Sequence, residues 1–274
     1  MDPLKSNIGR TNRARIPGHI LVALLAFALL HGCSWRPSTL PPPDAPDPAF
    51  LLAAIDARVE SASPAKGVGS YRVDMPNRTM SGRVAWISAP PDRFRVEVLS
   101  PFGQPLAGLA MDGDTLYAHV RPEDFLYTGS PGTRAVREFL GVALEPEHLS
   151  EVLVGGMFTM DHDRAHVETW YEEGVPAGWV LTLVKDWGWV RQRIWIQPDL
   201  CSVARSVVYE RPWFSTVGNP LYEIRFVRVD GDAREVSFTR EPDATVQIRF
   251  QRFWPSADIS GARFSLESAG SASP

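Results

Sequence analysis

Cysteine is nearly missing from this 274-residue chain: only Cys33 and Cys201 occur, which excludes a disulfide framework and any Cys-x-x-Cys zinc or redox motif. No Gly-x-Ser-x-Gly, His-Glu-x-x-His, phosphate-binding Gly-rich loop or Gly-x-Gly-x-x-Gly is present, so catalysis has no visible residues and no cofactor is expected. Positive charge is also scarce. With 28 Lys and Arg against 32 Asp and Glu the net charge is −4, and no basic stripe supplies the phosphate-neutralising surface that nucleic acid requires. No apolar run approaches the ~20 residues that cross a bilayer as a helix. What remains is ordinary globular material, 44% hydrophobic and 22% charged, enough for a sizeable core.

The N-terminus is informative about compartment. Lys5, Arg10, Arg13 and Arg15 stand against the single acid Asp2 and precede the apolar run Ile20 to Leu30, the layout of a signal peptide. The run closes with Leu30-His31-Gly32-Cys33, which resembles the lipobox of bacterial lipoproteins, where the cysteine is acylated after cleavage; His31 stands where that pattern has a small residue. The other reading is an ordinary secreted protein with a buried or free Cys33. Residues 34 to 47 contain Pro37, Pro41, Pro42, Pro43 and Pro46, the composition of an extended tether or of a disordered terminus. As a polyproline II spacer at ~3.1 Å per residue the segment reaches about 40 Å.

Asp47 followed by Pro48 marks a helix start, and an amphipathic helix is expected to about Glu60. From Val68 the apolar period becomes two, as in Phe94, Val96 and Val98 against Arg93, Arg95 and Glu97, and again in Val246, Ile248 and Phe250. Further strands are expected near 68–75, 79–89, 105–111, 114–120, 165–173, 178–186, 190–197, 201–210, 220–229 and 234–240, separated by turns such as Asp112-Gly113 and Asp230-Gly231. Short helices interrupt them at 133–140 and 146–153, where Leu149, Val152 and Leu153 share a face and Gly155-Gly156 stops the helix. The fold class is mainly β: a curved antiparallel unclosed β-barrel with an N-terminal helix and short helices forming a lid.

Several segments in order resemble one family. They are Asp92-Arg93-Phe94-Arg95-Val96-Glu97-Val98-Leu99-Ser100-Pro101-Phe102-Gly103, then Met111-Asp112-Gly113-Asp114, then Phe139-Leu140-Gly141, then Pro146-Glu147-His148-Leu149-Ser150-Glu151-Val152-Leu153-Val154-Gly155. Together, over residues 79 to 157, they resemble the outer-membrane lipoprotein receptor LolB and its relatives. The resemblance implies a LolA/LolB-like lipoprotein-carrier fold whose apolar cavity takes acylated lipoproteins, or another lipid, from a periplasmic LolA-like carrier and helps insert them into the outer membrane. The chain is further expected to be a monomer without catalytic activity, facing the periplasm of a Gram-negative bacterium and held by an acyl anchor on Cys33. The alternative is a non-catalytic envelope scaffold or assembly lipoprotein on the same fold. The C-terminal part, with Trp170, Trp179, Trp187, Trp189, Trp195, Trp213 and Trp254, is longer and richer in tryptophan than the family pattern.

Candidate site residues follow. Trp86, Phe94, Val96, Val98 and Leu116 line either an acyl-binding cavity or a filled core; Leu149, Val152 and Leu153 belong to the lid. Phe102, between Pro101 and Gly103, matches the family position of a membrane-reaching apolar residue; it stands out at the loop tip or folds back as a plug. Asp161, His162, Asp163, His166 and Glu168 gather metal-ligand types, but their side chains diverge on a strand or turn, and no metal is expected. Cys201 reads as a small buried apolar residue. The organisation is a signal peptide at 1–32, a lipidated cysteine and Pro-rich tether at 33–47, a barrel domain at 48–260 and a flexible tail at 261–274.

Overall fold

The computed structural model describes residues 45–266 apart from 122–124, 141–143, 200–201, 230–231 and 241–243. Cys33, Cys201, the signal peptide and most of the tether lie outside the described residues. Helix α1 (Pro48–Ala62) starts as its sequence dictates: the Asp47 carboxylate accepts the Ala49 N–H at 2.7 Å, and Pro48, lacking an N–H, occupies the first turn. Leu51 and Ile55, four residues apart, are its buried stripe.

Strands β1 (Ala65–Met75), β2 (Arg78–Ala89), β3 (Arg93–Leu99), β4 (Pro105–Asp112), β5 (Thr115–Val120) and β6 (Phe125–Gly129) form one antiparallel meander. A second comprises β7 (Arg164–Glu172), β8 (Val175–Lys185), β9 (Trp189–Ile196), β10 (Val203–Tyr209), β11 (Pro220–Val229), β12 (Asp232–Arg240) and β13 (Ala244–Trp254). The two join through β1 and β13, which pair from Lys66↔Trp254 to Asp74↔Thr245, giving a 13-stranded sheet with β6 and β7 at its edges. Strand β6 is an element that sequence periodicity missed, because five residues ending in glycine show too little alternation to separate a strand from a loop.

Since every neighbour is antiparallel, the connections alternate between the two ends of the sheet. The β1–β2, β3–β4, β5–β6, β8–β9, β10–β11 and β12–β13 connections share one end, called here the Phe102 end.

The chain passes from edge strand β6 to the opposite edge β7 through α2 (Thr133–Leu140) and α3 (Pro146–Leu153), so these helices lie across the opening of an unclosed barrel. Helix α3 is fastened there by its own C-terminal carbonyls, which have no partners within the helix. Ser88 Oγ donates to the Ser150 carbonyl at 2.7 Å and Trp86 Nε1 to that of Leu153 at 3.0 Å, both from β2. The Glu151 and Val152 carbonyls take the N–H groups of Gly156 and Gly155. All four are satisfied.

The following segment is held by the other half. Gln192 on β9 donates to the Phe158 carbonyl at 3.1 Å and accepts the Met160 N–H at 2.8 Å, and Arg228 on β11 donates to the Gly155 carbonyl at 2.8 Å. Residues 261–266, assigned from sequence to a flexible tail, instead pack on the outer face of β3 and β4. Arg95 donates to the carbonyls of Arg263 and Ser265, and Phe264 and Leu266 are buried; Gly108 leaves the space that Leu266 fills. Two apolar side chains, four and six residues past the barrel domain, hold it there, a signal too short to register as periodicity.

Candidate functional site

The β3–β4 turn is built from Ser100 to Gln104. Gly103 N–H donates to the Ser100 carbonyl at 2.9 Å, Ser100 N–H to the Gln104 carbonyl at 2.8 Å, and Gln104 N–H to Ser100 Oγ at 3.1 Å. Pro101 supplies the turn's fixed φ, and Gly103 sits at φ +81°, a conformation that side chains with a Cβ avoid. Between them Phe102 is 92% exposed, so it does not fold back as a plug.

Trp86, Phe94, Val96 and Leu116 are buried in one cluster with the lid residues Leu149, Val152 and Leu153. The structure thus brings lining and lid together, but as a packed interior instead of an open acyl cavity: Met157 and Phe158, which follow α3, fill the concave side. Val98, nearest the turn, is only half-buried. Sequence reasoning missed Ser88, Gln192 and Arg228, whose polar groups hold α3 and its extension in place. Ser88 and Gln192 are buried on inward-facing strand positions, and a polar residue interrupting an apolar alternation was the available signal.

An opening lies beside this interior. A cavity of about 460 Å³ is bordered by Ala118, Val120, Tyr127, Arg134, Ala135 and Phe139, between α2 and strands β5 and β6. Its volume falls in the ~300–1,000 Å³ range of small-molecule sites. Val120 pairs with Ala107, three residues beyond Gln104, so the cavity reaches the Phe102 end of the sheet.

No family model and no curated protein matches the sequence. Solved structures do match. A DUF1329 family protein from Desulfovibrio piger is 13% identical, covering 80% of this chain and 98% of that one, with a TM-score of 0.56. A LolA superfamily protein from Nitrosomonas europaea is 15% identical over 80% of this chain and 96% of that one, TM-score 0.50. A putative outer membrane lipoprotein-sorting protein domain from Vibrio parahaemolyticus is 11% identical over 75% and 91%, also with a TM-score of 0.50. The fold is LolA-like.

Glu151 on α3 feels the charge of Asp56 on α1 in this LolA-like barrel. Burial, with the Asp56 carboxylate as the second cause, raises the Glu151 carboxyl from about 4.5 to about 7. His148, stacked on Phe158 with ring centroids 3.9 Å apart, is lowered to about 4 by burial and then by Arg191. Asp161 and Asp163 both engage Lys185, at 3.0 and 2.9 Å, while His162 Nδ1 meets the Met160 carbonyl. Among the described residues no group of three or more His, Cys, Asp or Glu is arranged to hold a metal ion, and no helix is long and apolar enough to cross a membrane.

Proposed function

We propose that this chain is an outer-membrane-anchored lipoprotein that accepts acylated lipoproteins, or another lipid, from a periplasmic LolA-like carrier and passes them to the bilayer. Cys33 carries the acyl anchor, and residues 34 to 47 act as the tether. One observation carries the reading: a partly apolar cavity beneath α2 reaches the same end of the sheet as Phe102, an aromatic ring held in solvent. An acyl chain entering beside Ala118 and Phe139 gains about 0.8 kcal/mol for each methylene removed from water. Displacement of α2 and α3 would extend that cavity over Phe94, Val96 and Leu116. At the exit, Phe102 enters the interface and lowers the barrier to release.

The test compares wild type with Phe102→Glu, each loaded with a fluorescent acylated peptide and mixed with liposomes. Loading is unchanged, because an exposed ring contributes little to the core. Release slows roughly tenfold, the scale of one aromatic ring kept out of an apolar phase. Equal release rates at equal loading would remove Phe102 from the mechanism.

A scaffold or assembly role on the same fold is the second reading. The tightly packed interior favours it, with Phe94, Leu116 and Leu153 wholly buried and α3 hydrogen-bonded to β2. A chain that takes up no acyl probe under any condition would select this reading.

A further inference from the structure

Three exposed aromatic rings that the proposed function does not use share the Phe102 end. Trp187, in the β8–β9 turn, is 98% exposed; Trp213 and Phe214, in the β10–β11 connection, are 91% and 101% exposed. Phe102 lies between β3 and β4, in the other half of the sheet. At ~4.8 Å per strand along a flat sheet, Phe102 stands about 29 Å from the β10–β11 connection and about 38 Å from the β8–β9 turn, and closer to both across a curved one.

These rings are presented by a braced framework. Val190 N–H donates to the Thr216 carbonyl at 2.7 Å, Trp189 Nε1 to that of Glu210 at 3.1 Å, and Glu210 N–H to that of Asn219 at 2.9 Å. Val190 and Val217 add a parallel bridge between the β10–β11 connection and β9. Gly218 permits the narrow neck, since a Cβ there would lie 1.9 Å from the Glu210 carbonyl oxygen. On the neighbouring turn, the Asp163 carboxylate takes the Asp186 N–H at 2.7 Å and the Lys185 ammonium at 2.9 Å. The backbone on both sides of each ring is therefore tied down while the ring stays in water.

Full exposure of one Trp is unusual on a soluble surface, and three large rings at one end of a sheet are a contact surface in want of a partner. Their chemistry selects the partner. Tryptophan and phenylalanine beside arginine are the residues of the headgroup–acyl boundary, and residues 211 to 219 contain Arg211 and no acid. Single rings projecting from separate turns fit a deformable lipid surface, which moulds around each one.

We infer that the Phe102 end is a bilayer-docking rim, in which Trp187, Trp213 and Phe214 enter the lipid interface with Phe102 and turn the cavity beneath α2 toward the membrane. This deepens the anchored-lipoprotein reading and rests on it, but its occupant is tested without cargo. The full acylated chain is reconstituted into phosphatidylethanolamine–phosphatidylglycerol vesicles with brominated acyl chains, which quench tryptophan on contact. A Trp35→Phe background removes the tryptophan two residues from Cys33.

Tryptophan emission is quenched in that background, and the added pair Trp187→Ser and Trp213→Ser loses most of the quenching with an unchanged melting temperature. Absent quenching, or equal quenching in both chains, would overturn the rim, including the case in which the rings meet a protein partner. Acyl-probe uptake is read on the same samples. Quenching without uptake leaves the rim standing and removes the carrier reading, whereas uptake without quenching does the reverse.

Discussion

Ser88→Ala perturbs the attachment of α3 with almost no change in volume. Ser88 is fully buried, and its hydroxyl is the donor to the Ser150 carbonyl, one of the four at the end of α3 that the helix leaves unpaired. Alanine leaves that carbonyl buried without this partner, a cost of about 1–3 kcal/mol. Taking ~1.5 kcal/mol, and a state in which α3 has swung away from β2 and regained water, the open population rises roughly tenfold. Two measurements separate the local from the global effect. Urea unfolding reports the loss of overall stability, and hydrogen exchange at the α3 amides reports the opening. If cargo enters under α3, acyl-probe uptake at low probe concentration rises by the same factor, because the competent state is more populated. A shift below ~0.5 kcal/mol with unaltered exchange in α3 would refute the hydrogen-bond accounting, since the buried-carbonyl penalty would then be missing.

Protonation supplies an independent handle on the same helices. Glu151 holds its proton up to about pH 7 in the folded protein against about 4.5 ordinarily, so the stability it contributes is complete below about pH 4.5 and is lost as the pH rises through 7. Glu151→Gln removes that loss and stabilises the protein at pH 8 by about 1–2 kcal/mol, after discounting the partly solvated site, with little change at pH 4.5; equal effects at the two pH values in thermal melts would contradict it. If Cys33 carries the acyl anchor proposed above, Cys33→Ala releases the protein from membranes. Retention of that variant after a carbonate wash would sink the lipid-anchor reading.

Local chemistry was readable without the fold. Asp47-Pro48 announced α1, alternation announced β3 and β13, and Ser100-Pro101-Phe102-Gly103 described a tight turn with an aromatic tip, because caps, side-chain alternation and turns depend on residues a few positions apart. The sequence alone left two readings of Trp86, Phe94, Val96 and Leu116, since alternation tells which face is apolar and says nothing of what covers it. Tertiary structure decided that Met157, Phe158 and α3 cover it. It also decided the pairing of β1 with β13, nearly 180 residues apart in sequence, which joins two meanders into one sheet. Ser88, Gln192 and Arg228 became meaningful only there, because each answers backbone groups of a distant segment. The shared end of Phe102, Trp187, Trp213 and Phe214 follows from antiparallel strand order, a property of the whole sheet that no window of sequence contains.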